Sequence, residues 1–291
     1  MGLERHILNG EAKQELDKLG ELINNSIDKC DEIIYRFDGQ TVPTETITSA
    51  LLFRKAIEKA DAIFVTIEQG AEHAAQSILR DLFENTVCLA YLIQGDTERR
   101  AKCYYVGWLR SKKDILERLL PTTDIGRVVV DFLGDDSSID HDQVEEELRR
   151  VKVKLNSSWM QGINRKWNDL ERHRQGKVNW FSLYNGPRSI RKLATKVDMQ
   201  AEYDLLYFMY SLETHSLNAI KSLEHIDGEG FLRPIRTYEN PATILRMAQN
   251  YLWKSALLIV SRFYPENLPA FRHEFAQLAI LMRSEQGRSN R

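Results

Sequence analysis

"SILRDLFENTVCLAYL", residues 77–92, decides the fold class. Ile78, Leu79, Leu82, Phe83, Val87 and Ala90 follow helical spacing. With Ala74 and Ala75 just upstream they leave little of the helix circumference polar. A surface helix keeps one apolar stripe and one wet face, whereas a helix that is apolar on more than one side belongs in the centre of a bundle. The run extends from Ala71 to Ile93, with Gly70 as a break or kink before it and Gly95-Asp96 closing it. The expected fold is an all-α, multi-helix bundle with long central helices and irregular insertions.

The flanking sequence repeats the helical period. Leu16, Leu19, Ile23, Ile27, Cys30 and Ile34 recur at steps of three and four, which predicts a helix of roughly 25 residues that ends at Phe37-Asp38-Gly39. A second helix follows Pro43, with Thr44 or Thr46 as its candidate cap, and runs to about Gln69. Asp96 caps a fourth, Thr97 to Leu120, which Pro121 stops. Residues 122–139 read as a loop carrying a short apolar run, Val128 to Leu133. "DHDQVEEELRRVKVKL", residues 140–155, reads as an exposed helix whose charge blocks form a solvated face.

Trp159 to Arg174 is amphipathic, and Asn185-Gly186-Pro187 ends the loop after it. "RSIRKLATKV", residues 188–197, is helical, and Asp198 opens the next helix. "GEGFLRPIRTYEN", residues 228–240, is the place for a short hairpin or an irregular excursion. Asn240-Pro241 marks a helix start, with cap and first-turn proline together, and Ala242–Phe263 and Pro269–Arg283 are the last helices. The expected organisation is an N-terminal helix in residues 1–43 packing on a main helical domain, 44–291, with a looser segment at 122–185.

Composition narrows the function classes. The net charge is −2 and the pI about 6.4, so no global basic field exists to hold nucleic acid, although a local patch stays open. Cys30, Cys88 and Cys103 are far apart, with no C-x-x-C or Cys/His ligand spacing, so free thiols are expected and a zinc site is not. No Glu-x-x-His, G-x-S-x-G, P-loop or G-x-G-x-x-G occurs, which argues against a di-metal carboxylate site, a serine hydrolase and a nucleotide fold. No metal and no cofactor is expected. Met1 to Gly10 has no apolar core of a signal peptide, and Ala256 to Val260 is too short to span a bilayer. A cytoplasmic protein without a membrane segment is the expectation.

Two helices carry chemistry. Tyr203, Tyr207, Ser211 and His215 follow a four-residue step, which puts them on one helical face. Leu205, Leu206, Phe208, Met209, Leu212 and Leu217 around them turn that face to the interior or to a cleft. In the central helix, Arg80 and Glu84 are also four apart, and an arginine on so apolar a helix needs a partner, because an unpaired buried charge costs several kcal/mol. Three arrangements are open: a buried polar network that fixes helix register, a pocket, or scattered surface positions.

"SILRDLFENTVCLAYL", "RSIRKLA" and "YDLLYFMYSLETHS" together resemble a bacterial all-helical family of unknown function, over roughly residues 45 to 220. Its marks are an R-x-L-x-E core helix, here Arg80, Leu82 and Glu84, and a later Y-x-x-x-Y-x-x-x-S-x-x-x-H helix, here Tyr203, Tyr207, Ser211 and His215. In general character that family is similar to HEPN-type domains, which are frequent in toxin and antiphage systems and are often metal-independent ribonucleases. The resemblance implies a defence or regulatory protein. Its site would be composite: Arg80 holding phosphate, Glu84 aligning it, His215 transferring protons, and Tyr207 and Ser211 orienting the substrate. The usual arginine followed four to six residues later by a histidine on one helix is absent here. The alternative is a non-catalytic module that binds a protein partner or a second copy of the chain through aromatic residues such as Trp159, Trp167 and Trp180, beside the basic run Arg188, Arg191, Lys192 and Lys196.

Overall fold

The computed structural model describes residues 10–37, 43–134, 139–173, 178–207, 210, 219–226 and 229–289. The architecture is an all-α, multi-helix bundle with one short hairpin among those residues. The chain forms two compact units, residues 1–95 with 190–291 and residues 96–189.

In the first unit, α1 (Gly10–Tyr35), α2 (Thr44–Glu68), α3 (Glu72–Ile93) and α10 (Pro241–Phe263) pack on one another, and α11 (Leu268–Ser289) packs on α1 and α10. The core is continuous: Leu19, Ile23, Phe53, Ile63, Leu79, Leu82, Tyr251 and Ile259 are buried. Pro43 occupies the position expected for a threonine cap, and α2 begins without a side-chain cap. Gly70 ends α2 with φ +71°. Its N–H donates to Ile67 O at 2.9 Å, and the Ala71 N–H donates to Thr66 O at 2.8 Å. This pairing is the left-handed helix stop that glycine favours.

The Thr237 N–H donates to Gly70 O and the Tyr238 hydroxyl to Glu68 O, so the entry to α10 is tied to the α2–α3 junction. The hairpin comes before it, with β1 (Leu223–Ile226) antiparallel to β2 (Glu229–Leu232) and Leu223 opposite Leu232. It begins five residues before the stretch in which an excursion was expected.

The second unit has its own core. Cys103, Val106, Leu109 and Leu116 of α4 (Thr97–Arg118) meet Leu148, Val151 and Leu155 of α6 (His141–Leu155), with Met160 and with Ile163 and Trp167 of α7 (Gln161–His173). The boundary set by contacts therefore lies at 95/96 and 189/190. Loop composition, on which the expected 43/44 division and looser 122–185 segment rest, carries no sign that α4 shares a core with α6 and α7. Between α4 and α6, residues read as loop form α5 (Asp124–Leu133). Thr123 caps it, its hydroxyl accepting from the Gly126 N–H at 2.9 Å. Gly107 lets the Trp167 and Trp180 rings approach to 3.2 Å of the place a β-carbon would take.

Candidate functional site

Arg80 and Glu84 meet on α3 as their spacing dictates, with Arg80 Nη2 3.3 Å from Glu84 Oε1. The side chains are 14% and 29% exposed, so the pair is shielded without being sealed. Burial pushes the Glu84 carboxyl above its usual range, and the Arg80 charge pulls it back only in part. The neighbouring Asp81 carboxylate adds to the rise. Asp81 pairs with Lys59 of α2 at 3.4 Å, which leaves two cations and two anions at this face of α3 and α2. Among the described residues, no group of three or more His, Cys, Asp or Glu is arranged to hold a metal ion.

The second motif begins against the same helix. α8 (Ile190–Lys196) packs on α3 and ends with Asp198 in the left-handed region, φ 59°. The Met199 N–H donates to Ala194 O at 2.8 Å. Asp198 thus terminates α8, where the sequence suggested a helix start. The next element is α9 (Gln200–Glu202), which runs into a π-turn at Tyr203–Tyr207. The even four-residue row expected on an α-helix is therefore interrupted at its first step.

The Tyr203 ring lies 6.5 Å from that of Phe83, so the start of this motif rests on α3 one turn from Arg80. Tyr207 closes the π-turn. Ser211 and His215 lie outside the described residues. Tyr210 is 8% exposed, and its hydroxyl donates to Met247 Sδ at 3.5 Å.

Other polar groups in this unit carry no motif. Glu72 is 3% exposed, and both its oxygens accept from the Asn240 N–H at 3.0 Å. Burial raises its carboxyl above the usual range. Thr86 and Ser255 share a buried hydrogen bond at 3.1 Å, and Gln249 Nε2 donates to Ser26 Oγ at 2.8 Å. The sequence marks Asn240-Pro241 as a helix start, but no spacing rule announces that Glu72 will receive its N–H.

An all-helical protein with a half-shielded Arg–Glu pair on its central helix is the class that fold and site define. The chain belongs to a family of unknown function (DUF5677), whose model matches residues 47–230. The match includes α3 with Arg80 and Glu84 and the whole of the second motif. No curated protein and no solved structure matches the chain.

Proposed function

We propose that this protein is a defence or regulatory protein that cleaves RNA without a metal, at a composite HEPN-like site built on Arg80 and His215. The observation that carries the reading is the Arg80–Glu84 pair on the central helix, beside the start of the second motif and still reached by water. A guanidinium fixed in that way neutralises a phosphate as negative charge develops on it. Glu84 sets its orientation. His215 is the proton-transfer residue, suited to that task near neutral pH, with Tyr207 and Ser211 orienting the phosphate. The 2′-oxygen of RNA attacks the adjacent phosphorus, and the bond to the 5′-oxygen breaks. The attacking hydroxyl loses a proton and the leaving oxygen gains one, which yields a 2′,3′-cyclic phosphate and a 5′-hydroxyl.

A second reading rests on the balance of Lys59, Asp81, Arg80 and Glu84. Four opposed charges grouped on α3 and α2 serve as a non-catalytic network fixing helix register, in a protein that acts by binding a partner. Purified protein incubated with diverse RNAs separates the two. Cleavage to cyclic-phosphate ends is expected to persist in EDTA, because phosphate neutralisation and proton transfer are both assigned to side chains. His215→Ala should abolish it with an unchanged circular dichroism spectrum, and Arg80→Lys should weaken it at least tenfold, since a point charge replaces a planar fork. Intact RNA with wild-type protein leaves the network reading.

A further inference from the structure

The second unit presents a row of aromatic rings. On α4, the Tyr105 and Trp108 rings lie 5.6 Å apart at 19°. The Trp159 ring also lies nearly parallel to that of Tyr105, at 6.0 Å and 8°. Tyr105 is anchored against the buried core of the unit. The tryptophan rings are open, Trp108 49% and Trp159 46% exposed. Three near-parallel rings with water on two of them form a surface that ordinary core packing does not require.

Cations outnumber carboxylates past the row, with Lys112, Arg150 and Lys154 against Glu146 and Glu147. Lys112 Nζ sits 5.4 Å from the centre of the Trp108 ring and bonds to Glu147. Arg150 approaches Glu147 at 3.8 Å and is shared with Glu146 at 2.9 Å. Lys154 lies near enough to Glu147 to help Lys112 and Arg150 hold its carboxyl below the usual range. Lys154 is exposed and makes no ion pair among the described residues. The same bias holds for the whole unit. Residues 96–189 carry eighteen Lys and Arg against fifteen Asp and Glu, while the rest of the chain carries twenty-two against twenty-seven.

We infer that the Trp108–Tyr105–Trp159 row is a docking surface for single-stranded RNA, with bases stacking on the rings and phosphates running past Lys112, Arg150 and Lys154. Parallel rings rimmed by cations match a strand whose bases and phosphates alternate. A duplex offers its backbone and groove edges, and its base faces are already stacked. Protein interfaces also draw on clustered Trp and Tyr, so a protein partner is one of the outcomes the experiment separates. The choice of RNA over DNA rests on the cleavage reading above, but the surface belongs to the other unit and is tested without cleavage.

The experiment measures fluorescence anisotropy of the full-length protein carrying His215→Ala with a labelled RNA 12-mer, whose 2′-hydroxyls are kept and whose integrity is checked on a gel. Its duplex and a DNA 12-mer of the same sequence are run beside it. The single strand should bind at least tenfold tighter than the duplex and tighter than the DNA. Trp108→Ala and Trp159→Ala should each weaken it by about tenfold or more, with an unchanged circular dichroism spectrum. Lys154→Ala, at an exposed position, should lower the slope of log affinity against log salt by about 0.7. No binding at low salt, equal affinity for duplex or DNA, ring variants that bind like the His215→Ala parent, or a partner protein held by the rings where RNA is not, would each overturn the assignment. Binding here, with no cleavage by the wild type, would sustain this surface and defeat only the nuclease reading.

Discussion

Helices α3 and α4 are each 22 residues long, and they use their polar and aromatic residues in opposite ways. On α3, Leu79, Leu82, Phe83, Val87 and Leu89 are all buried, and its polar groups are held by specific partners. Thr86 bonds to Leu82 O and Ser255, Asn85 Nδ2 donates to Leu52 O at 2.8 Å, and Arg80 faces Glu84. On α4 a narrower stripe is buried, Ala101, Val106 and Leu109 among it, while Trp108 and Ile115 stand out in water. Its charges pair mainly with other exposed or half-exposed groups, as Lys102 does with Glu98 and Lys113 with Glu117. An interior helix has to satisfy every polar atom it carries, so its charges are first a matter of stability. A surface helix has no such obligation, and rings left in water on it are available for recognition.

The largest test of that contrast replaces one aromatic residue on each helix. Phe83 is 2% exposed and packs edge-on to Tyr251 with ring centres 5.5 Å apart. Phe83→Ala should destabilise the protein by about 3–5 kcal/mol, the usual cost of emptying an aromatic position in a core. Trp108→Ala should cost only about 1 kcal/mol, since a half-exposed ring gives up its stacked neighbour Tyr105 and no core position. Chemical denaturation of both variants reads the difference. Similar losses would mean that Trp108 is structural, and the comparison between the helices would fail.

The next effect is smaller. Arg80→Ala leaves Glu84 without its partner at a position where water reaches it only in part. The expected loss is about 1–3 kcal/mol, below the range for a fully buried pair broken on one side. A transition midpoint that does not move would place Arg80 energetically with the exposed ion pairs of α4, whose median worth is roughly 0–1 kcal/mol.

How far the fold was legible follows from the same distinction. The stripe on α1 and the apolar circumference of α3 are periodic, and periodicity is local, so both helices could be read from residue spacing. Asp96 was recognisable as a cap because a cap needs only its own next turn, and its side chain accepts from the Arg99 N–H. The helix at Asp124–Leu133 is hidden in the sequence because ten residues between breakers look like a loop until Thr123 is seen to cap them. Ile125, Val128 and Phe132 form an apolar stripe on it, but that stripe stays in water and so gives no sign of a core. The sequence showed the Arg80–Glu84 pair because both partners sit on one helix. It could not show Glu72 meeting Asn240, because that contact joins residues far apart in the chain, and it gave no warning that the Tyr203–Tyr207 step would be a π-turn. Trp159 reads as an aromatic in an irregular segment, but its near-parallel pairing with Tyr105 depends on how the turn after α6 returns to α4.

The smallest expected effect concerns the protonation of Glu84. Burial raises its carboxyl above the ordinary range despite the Arg80 charge, so the folded chain holds this proton more tightly than the unfolded chain does. Stability from such a group is fully present below the unfolded carboxylate pKa and is lost as pH rises through the higher folded value. Glu84→Gln removes the titration, while Glu72 and the other carboxyl groups remain in both proteins and largely cancel. The wild type should therefore lose thermal stability relative to Glu84→Gln as pH is raised from about 4 to 7. Gln forms a weaker contact with Arg80 at every pH, which shifts the two curves apart by a constant and leaves the slope to be read. Melting temperatures of the two proteins across that range decide it. Parallel curves would mean that Glu84 titrates as it does in the unfolded chain and that this position of α3 is as well hydrated as the exposed face of α4.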